Sequence, residues 1–142
     1  MLSIGAKAPD FNLESTKGPV ALSKIEGKVL IVFYPRDNTP GCTKQLCAAQ
    51  DNLTGYKSLN VNVIAINYGS LASHQKFAAK YTLDFPLCVD TNKEVAKLYK
   101  AATEEGKIIR TVYILDENKN IQYAKQGSPT TAELVDALET IN

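Results

Sequence analysis

Cys42 follows Pro40 and Gly41 just past an apolar run, and Cys47 stands five positions further on, in the stretch FYPRDNTPGCTKQLC that begins at Phe33. Thiols react as thiolates, so the question is whether the chain puts one where negative charge is favoured. A turn that opens a helix is such a place. Its first N–H groups have no partner inside the helix, and the macrodipole is positive there. Cysteines so placed can titrate well below the free value of about 8.5 and act as nucleophiles near neutral pH. Pro40 suits a first helical position, where an N–H would go unused, and Gly41 allows a substrate to approach the backbone closely. The alternative is that Pro-Gly only breaks the chain and Cys42 is a small buried residue, as free cysteine often is.

The surrounding elements decide where this turn sits. Residues 28–34, KVLIVFY, form a continuous apolar run rich in β-branched side chains, the mark of a central strand covered on both faces. Cys42 then falls at the carboxyl end of that strand, the edge where ligands of open α/β sheets gather. Residues 61–66 and 110–115 are further strands of the same kind, and 11–13 with 20–22 make a hairpin across the turn 15–19. The proline-free segment from 43 to about 56 and the apolar stripe of 71–81 read as helices. Thr91 and Glu94 form a capping box before VAKLY, and Thr130 and Glu133 form another before LVDALETI, where Leu134, Val135, Leu138 and Ile141 share one face. The polar turn 116–120 leads into the alternating IQYAK, which predicts a second hairpin. Strands alternating with helices imply an α/β fold with a parallel core, and the late hairpin adds an antiparallel edge. The order fits a thioredoxin-like fold: a central mixed sheet flanked by helices, with an N-terminal β-hairpin extension.

Composition narrows the class. With 142 residues, 44% of them hydrophobic, the chain has the size of one domain, 1–142, with a single core. Lys and Arg total 16 against 15 Asp and Glu, without charge blocks, which gives no electrostatic case for nucleic acid or membrane. The partners expected are small molecules or other proteins. The N-terminus lacks the pattern of a signal peptide, and the apolar runs are strand-sized, so a soluble cytoplasmic protein is the expectation. Three cysteines, none in a CxxC pair or at zinc-site spacing, argue against a disulfide framework or a structural metal. In a reducing cytosol, cysteines that matter do so through reactivity.

Pro35, Thr39 and Cys42 resemble the PxxxTxxC motif of the peroxiredoxins, and TPGCT followed by Cys47 resembles the bacterioferritin comigratory protein, or peroxiredoxin Q, branch. The likeness extends along nearly the whole chain through GAKAPDF at 5–11, SHQKF at 73–77, FPL at 85–87 and Arg110-Thr111. It implies a peroxidase without metal, haem or other cofactor. The Cys42 thiolate would attack the terminal oxygen of hydrogen peroxide or a small organic hydroperoxide and become a sulfenic acid. The family pattern assigns stabilisation of the leaving oxygen to the backbone N–H of Cys42, the Thr39 hydroxyl and the Arg110 guanidinium, with Pro35 shielding the site from water. Cys47 would resolve the sulfenic acid as an intramolecular disulfide, re-reduced by thioredoxin or a similar thiol protein. The branch is commonly monomeric.

If both cysteines lie on an intact helix, their Cα atoms stand about 8.6 Å apart, whereas a disulfide needs under about 7 Å. The helix must therefore unwind after oxidation. The chain also departs from the branch. Gln45 stands where a carboxylate is common, keeping an acceptor for the active-site Arg but no charge; Ala49-Gln50 replaces Phe-Arg; and Asn67-Tyr68-Gly69-Ser70 differs from the usual Asp-Ser loop. Cys88 reads as a buried structural thiol in a short covered strand, with a second resolving thiol as the alternative. His74, the only histidine, reads as a polar helix residue or cap. Tyr34, Tyr56, Tyr68 and Phe85 read as packing residues, and Arg36 as solvated, or as a second basic group near the thiolate. Two rivals remain at this stage: a thiol:disulfide oxidoreductase, which the missing CxxC disfavours, and a redox-sensing binding module that is oxidised once per molecule.

Overall fold

Residues 1–141 are described by a computed structural model of the chain. The run KVLIVF forms β3 (Lys28–Phe33), at the centre of a five-stranded sheet, after a short hairpin of β1 (Asn12–Leu13) and β2 (Val20–Ala21) and a 3-10 turn at Leu22–Lys24. The chain continues through α1 (Pro40–Asp51), α2 (Leu53–Ser58), β4 (Val61–Asn67), α3 (Leu71–Tyr81), β5 (Leu87–Val89), α4 (Glu94–Leu98), β6 (Thr111–Leu115), β7 (Ile121–Gln126) and α5 (Thr131–Glu139). Strand order is β5-β4-β3-β6-β7, with β3 and β5 parallel to β4, and β6 antiparallel to both β3 and β7. This is the mixed sheet expected from the sequence.

Strand alternation explains the two cores. Leu30 and Val32 of β3 join Leu46, Tyr56, Phe77, Leu134 and Leu138 beneath α1, α2, α3 and α5. Val29, Ile31 and Phe33 face the other way, onto Val95, Tyr99, Tyr113 and the N-terminal segment. The outer edge of β5 is not left open: Val89 N–H donates to Glu14 C=O at 2.8 Å, and Thr16 N–H to Leu87 C=O at 3.2 Å.

Two expected helices differ in detail. The segment 43–56 is not one helix. It starts earlier, at Pro40, and breaks at Asn52, whose Nδ2 donates to Ala48 C=O at 2.8 Å and to Thr131 Oγ1 at 3.2 Å. A short amide side chain that bonds a nearby carbonyl competes with the helix ladder. Gln50 clasps Asp84 just before this break, donating to its carboxylate at 2.9 Å and accepting from its N–H at 2.7 Å. Nor does Thr91 cap α4. Asp90 does, accepting from the N–H groups of Val95 at 3.1 Å and Ala96 at 2.9 Å; its two carboxylate oxygens satisfy two donors where a hydroxyl would satisfy one. At α5, Thr130 accepts from Glu133 N–H as expected, while the Glu133 side chain turns away to Tyr123 and Lys125.

Candidate active site

After β3 the chain passes Tyr34 and Pro35, makes a tight turn, and enters α1 at Pro40, with Thr39 as the N-cap. Thr39 has the extended backbone of an N-cap, but its hydroxyl makes no cap bond and instead donates to Arg36 C=O at 3.0 Å. A threonine here would ordinarily accept from an N–H of the first turn. Because it does not, the N–H of Cys42 is left without a side-chain cap, beside its own thiol.

Register brings in the distant arginine. Thr111 pairs with Phe33 across antiparallel strands, so Arg110, one residue before β6, sits at the carboxyl end of β3. Its backbone is held by Gly127 N–H, which donates to Arg110 C=O at 2.8 Å. Arg110 Nη2 donates to Cys42 Sγ at 3.1 Å, and Nη1 to Gln45 Oε1 at 2.6 Å. Gln45, one turn after Gly41, thus orients the guanidinium as the sequence reading allowed. A side chain at Gly41 would press on Arg110, since a Cβ there would lie 3.3 Å from Nη2. Cys42 is only 1% exposed, and Pro35 is half-buried nearby in sequence. Sγ therefore sits in a nearly dry site with one cationic donor on it and the first N–H groups of a helix beside it. Such a site can hold a thiolate and stabilise charge on an oxygen bound next to it.

Cys47 lies in the same unbroken helix, half-buried. Burial, and then the charge of Asp51, push its thiol above the ordinary range, so it is a protonated thiol while the helix is intact. Cys88 is fully buried in β5; burial and the charge of Asp90 push it up to about 12. It is an inert core thiol here. Arg36 is exposed, and Tyr34, Tyr56 and Phe85 are buried, as expected. Tyr68 is not: it is 38% exposed, with Lys93 Nζ 4.5 Å from its ring centre. Tyr68 follows the last residue of β4 and leaves the sheet with the chain. Asn67 turns inward instead, donating to Tyr34 C=O at 2.7 Å and accepting from Gly69 N–H at 2.8 Å.

His74 is a polar helix residue, as read, but its burial and partners were not foreseen. It is 0% exposed and packs under the loop before Cys42. Its Nδ1 lies 2.6 Å from Asp37 Oδ2, and Nε2 lies 3.2 Å from Asn67 C=O and 3.1 Å from Cys88 C=O. Ser73 Oγ donates to the same carboxylate at 2.7 Å, and Tyr34 Oη donates at 2.6 Å. Burial acts to raise the Asp37 carboxyl, but the bonds from His74, Tyr34 and Ser73 and the His74 charge outweigh it and hold it below the usual value. Burial and the adjacent Asp37 push the Tyr34 phenol well above its own range, so it remains a donor. One sequence signal pointed here: His74 precedes Phe77 by three positions, on the inward stripe of α3.

Comparison with known proteins agrees with this geometry. Residues 4–124 match the AhpC/TSA family. The chain is 40% identical over 131 residues to peroxiredoxin Q, chloroplastic, of Sedum lineare, with 88% of this chain and 70% of that protein covered. It is 34% identical over 125 residues to a Coxiella burnetii protein named as a peroxiredoxin of the bcp kind, covering 82% of this chain and 83% of the other. The crystal structure of the peroxidoxin BcpB from Mycobacterium tuberculosis superposes with a TM-score of 0.89 at 26% identity, covering 99% of this chain and 96% of that one. With a thiol under an arginine at a helix start and this likeness along most of its length, the chain belongs to the AhpC/TSA family of peroxiredoxins, thiol-dependent peroxidases.

Proposed function

We propose that Cys42 is the peroxidatic cysteine of this enzyme, acting on hydrogen peroxide and small organic hydroperoxides. The observation that carries the reading is Arg110 Nη2 at 3.1 Å from a nearly buried Cys42 Sγ at the start of α1. The thiolate attacks the terminal peroxide oxygen, the O–O bond breaks, and negative charge passes to the leaving oxygen. Arg110 and the free N–H of Cys42 stabilise that charge. A proton completes water or an alcohol as product, and Cys42 is left as a sulfenic acid. Thr39 differs from the donor role expected of it: its hydrogen is engaged by Arg36 C=O, so its lone pairs accept the hydrogen of the bound peroxide. Pro35 shields the loop side of the site.

Cys47 then attacks the sulfenic sulfur, forming an intramolecular disulfide and releasing water. Both cysteines lie in one helix, about 8.6 Å apart by ideal geometry, so α1 opens first. Thioredoxin or a similar dithiol protein restores the two thiols. We further read 1–142 as one domain, because both cores line the two faces of the same sheet, and as a cytoplasmic monomer, in keeping with the sequence expectations. Peroxide consumption coupled to thioredoxin, its reductase and NADPH tests the reading. Cys42→Ser loses the reaction, and Cys47→Ser gives one turnover and stalls at sulfenic acid unless a small thiol rescues it. Sustained consumption by Cys42→Ser overturns the assignment; a single oxidation without turnover in wild type makes the protein a sensor instead.

A further inference from the structure

We infer that His74 is a positioning residue: held as a buried imidazolium, it fixes Asp37 and thereby keeps Thr39 from capping α1, which leaves the Cys42 N–H free for the peroxide. This rests on Cys42 being the reacting thiol. The charge follows from the partners of the ring. Nε2 faces only the carbonyl oxygens of Asn67 and Cys88, which cannot donate, so Nε2 carries a hydrogen. Nδ1 faces Asp37 Oδ2 at 2.6 Å, while that carboxylate already accepts from Ser73 and Tyr34. Two hydroxyls already donate to this group, and its partners hold it below the usual carboxyl value, so it is ionised; the Nδ1 hydrogen then belongs to the ring and the pair is ionic.

What the ion pair holds is the turn between β3 and α1. Asp37 is flanked by Arg36, whose carbonyl takes the Thr39 hydroxyl, and by Asn38, which sits at φ 55° with its side-chain oxygen 3.3 Å from Tyr81 Oη. Asp37 and Asn38 are thus both tied to α3. With Asp37 fixed, the Arg36 carbonyl stays where it draws the hydroxyl away from the helix. Without that anchor the turn relaxes, and Thr39 is free to do what threonine at an N-cap ordinarily does, accepting from the first-turn N–H groups. The thiolate and Arg110 remain, but a donor aimed at the leaving oxygen is lost.

Two measurements test this, and one needs no mutation. His74 is the only histidine, so ring-nitrogen NMR of the 15N-histidine-labelled reduced protein at pH 7 reads this site alone. Both nitrogens are expected protonated and slow to exchange; one unprotonated nitrogen overturns the ion pair. The second compares single-turnover oxidation by hydrogen peroxide with alkylation by iodoacetamide, in wild type, His74→Gln and the milder Ser73→Ala. His74→Gln is expected to lose ten-fold or more toward peroxide while alkylation changes by less than about two-fold, with Ser73→Ala between wild type and His74→Gln. Equal losses in both reactions, or no loss, overturn the positioning role. Mapping the alkylated residue separates this from failure of the underlying reading: label on a cysteine other than Cys42 refutes the peroxidatic assignment itself.

Discussion

The residues just before Cys42 and those just after it are built in opposite ways. Residues 35–39 form a short turn without regular structure, yet Asp37 and Asn38 bind Tyr34, Ser73, His74 and Tyr81 through their side chains. Residues 40–51 form three turns of regular helix, yet that helix has no side-chain cap, no acidic residue in its first turn and no basic residue in its last. By comparison α5 carries a Thr130 cap bond and Glu133 in its first turn. Irregular backbone is therefore the rigid part here, and regular backbone the part able to yield. Rigidity comes from buried polar partners, not from secondary structure as such. The proposed chemistry asks for this division: donors must be fixed during attack on the peroxide, and Cys47, as the proposed resolving cysteine, must travel afterwards.

The largest effect is expected of Arg110→Met, which removes the donor to both Cys42 and Gln45. The single-turnover rate constant toward hydrogen peroxide should fall about 10²–10³-fold, the loss typical of one preorganised donor, with Arg110→Lys between, since it keeps charge but not the two-nitrogen fork. A rate near that of wild type in Arg110→Met would place the stabilising charge elsewhere. Next in size is amide exchange in reduced and oxidised protein. Protection at 43–49 should drop by about 10²-fold on oxidation, toward that of a locally opened segment, whereas 35–39 and α3 keep theirs. Equal loss on both sides of Cys42 erases the distinction.

Acid titration sharpens it further. Because the Asp37 carboxyl is held below its unfolded value of about 3.9, its contribution to stability is fully present above that pH and is lost as pH falls through the folded value. Asp37→Asn should lower stability at pH 7 by about 3–5 kcal/mol, as removal of one partner of a buried pair does, and should flatten the loss below pH 4 in urea melts. An unchanged acid limb would mean that another carboxyl governs it. The smallest effect is expected of Gln45→Glu. An ion pair with Arg110 is stronger than the present bond from the guanidinium to a neutral amide oxygen, so peroxide reactivity should rise about two- to five-fold in the stopped-flow assay. A fall would show that the added charge near the thiol outweighs better positioning of the arginine.

Elements whose patterns are local were legible in the sequence. The β3 run, the β4 and β6 strands and α3 all fall within a residue or so of expectation, because periodicity and breaker residues report burial directly. The motif around Cys42 and the pairing of Gln45 with Arg110 were legible too, through resemblance. What escaped depends on choices between two locally plausible partners. Thr91 and Asp90 both fit a cap, and only the path of the chain after β5 decides between them. Thr39 reads as a donor to the leaving oxygen, and the carbonyl of Arg36, which takes its hydrogen, leaves it an acceptor. His74 reads as a polar helix residue or cap, with no partner named, until Asp37, 37 positions away, is folded onto it. Long-range polar pairing leaves no periodic trace in a single sequence.

In the proposed cycle, the clasp between Gln50 and Asp84, with the Asn52 bonds beyond it, limits how much of α1 opens. Since α1 is tethered at its far end and the turn before it is anchored as well, such opening would free only about ten residues held at both ends. Winding so short a stretch back into helix takes on the order of 0.1–1 μs. A protein reductant at about 1 μM, associating at about 10⁵–10⁷ M⁻¹ s⁻¹, arrives only about 0.1 to 10 times per second. Each oxidised molecule would then spend nearly its entire lifetime waiting for a visitor and almost none recoiling. On the proposed cycle, the standing fraction of opened α1 is a gauge of peroxide supply against reductant supply, set by traffic and not by the mechanics of the helix.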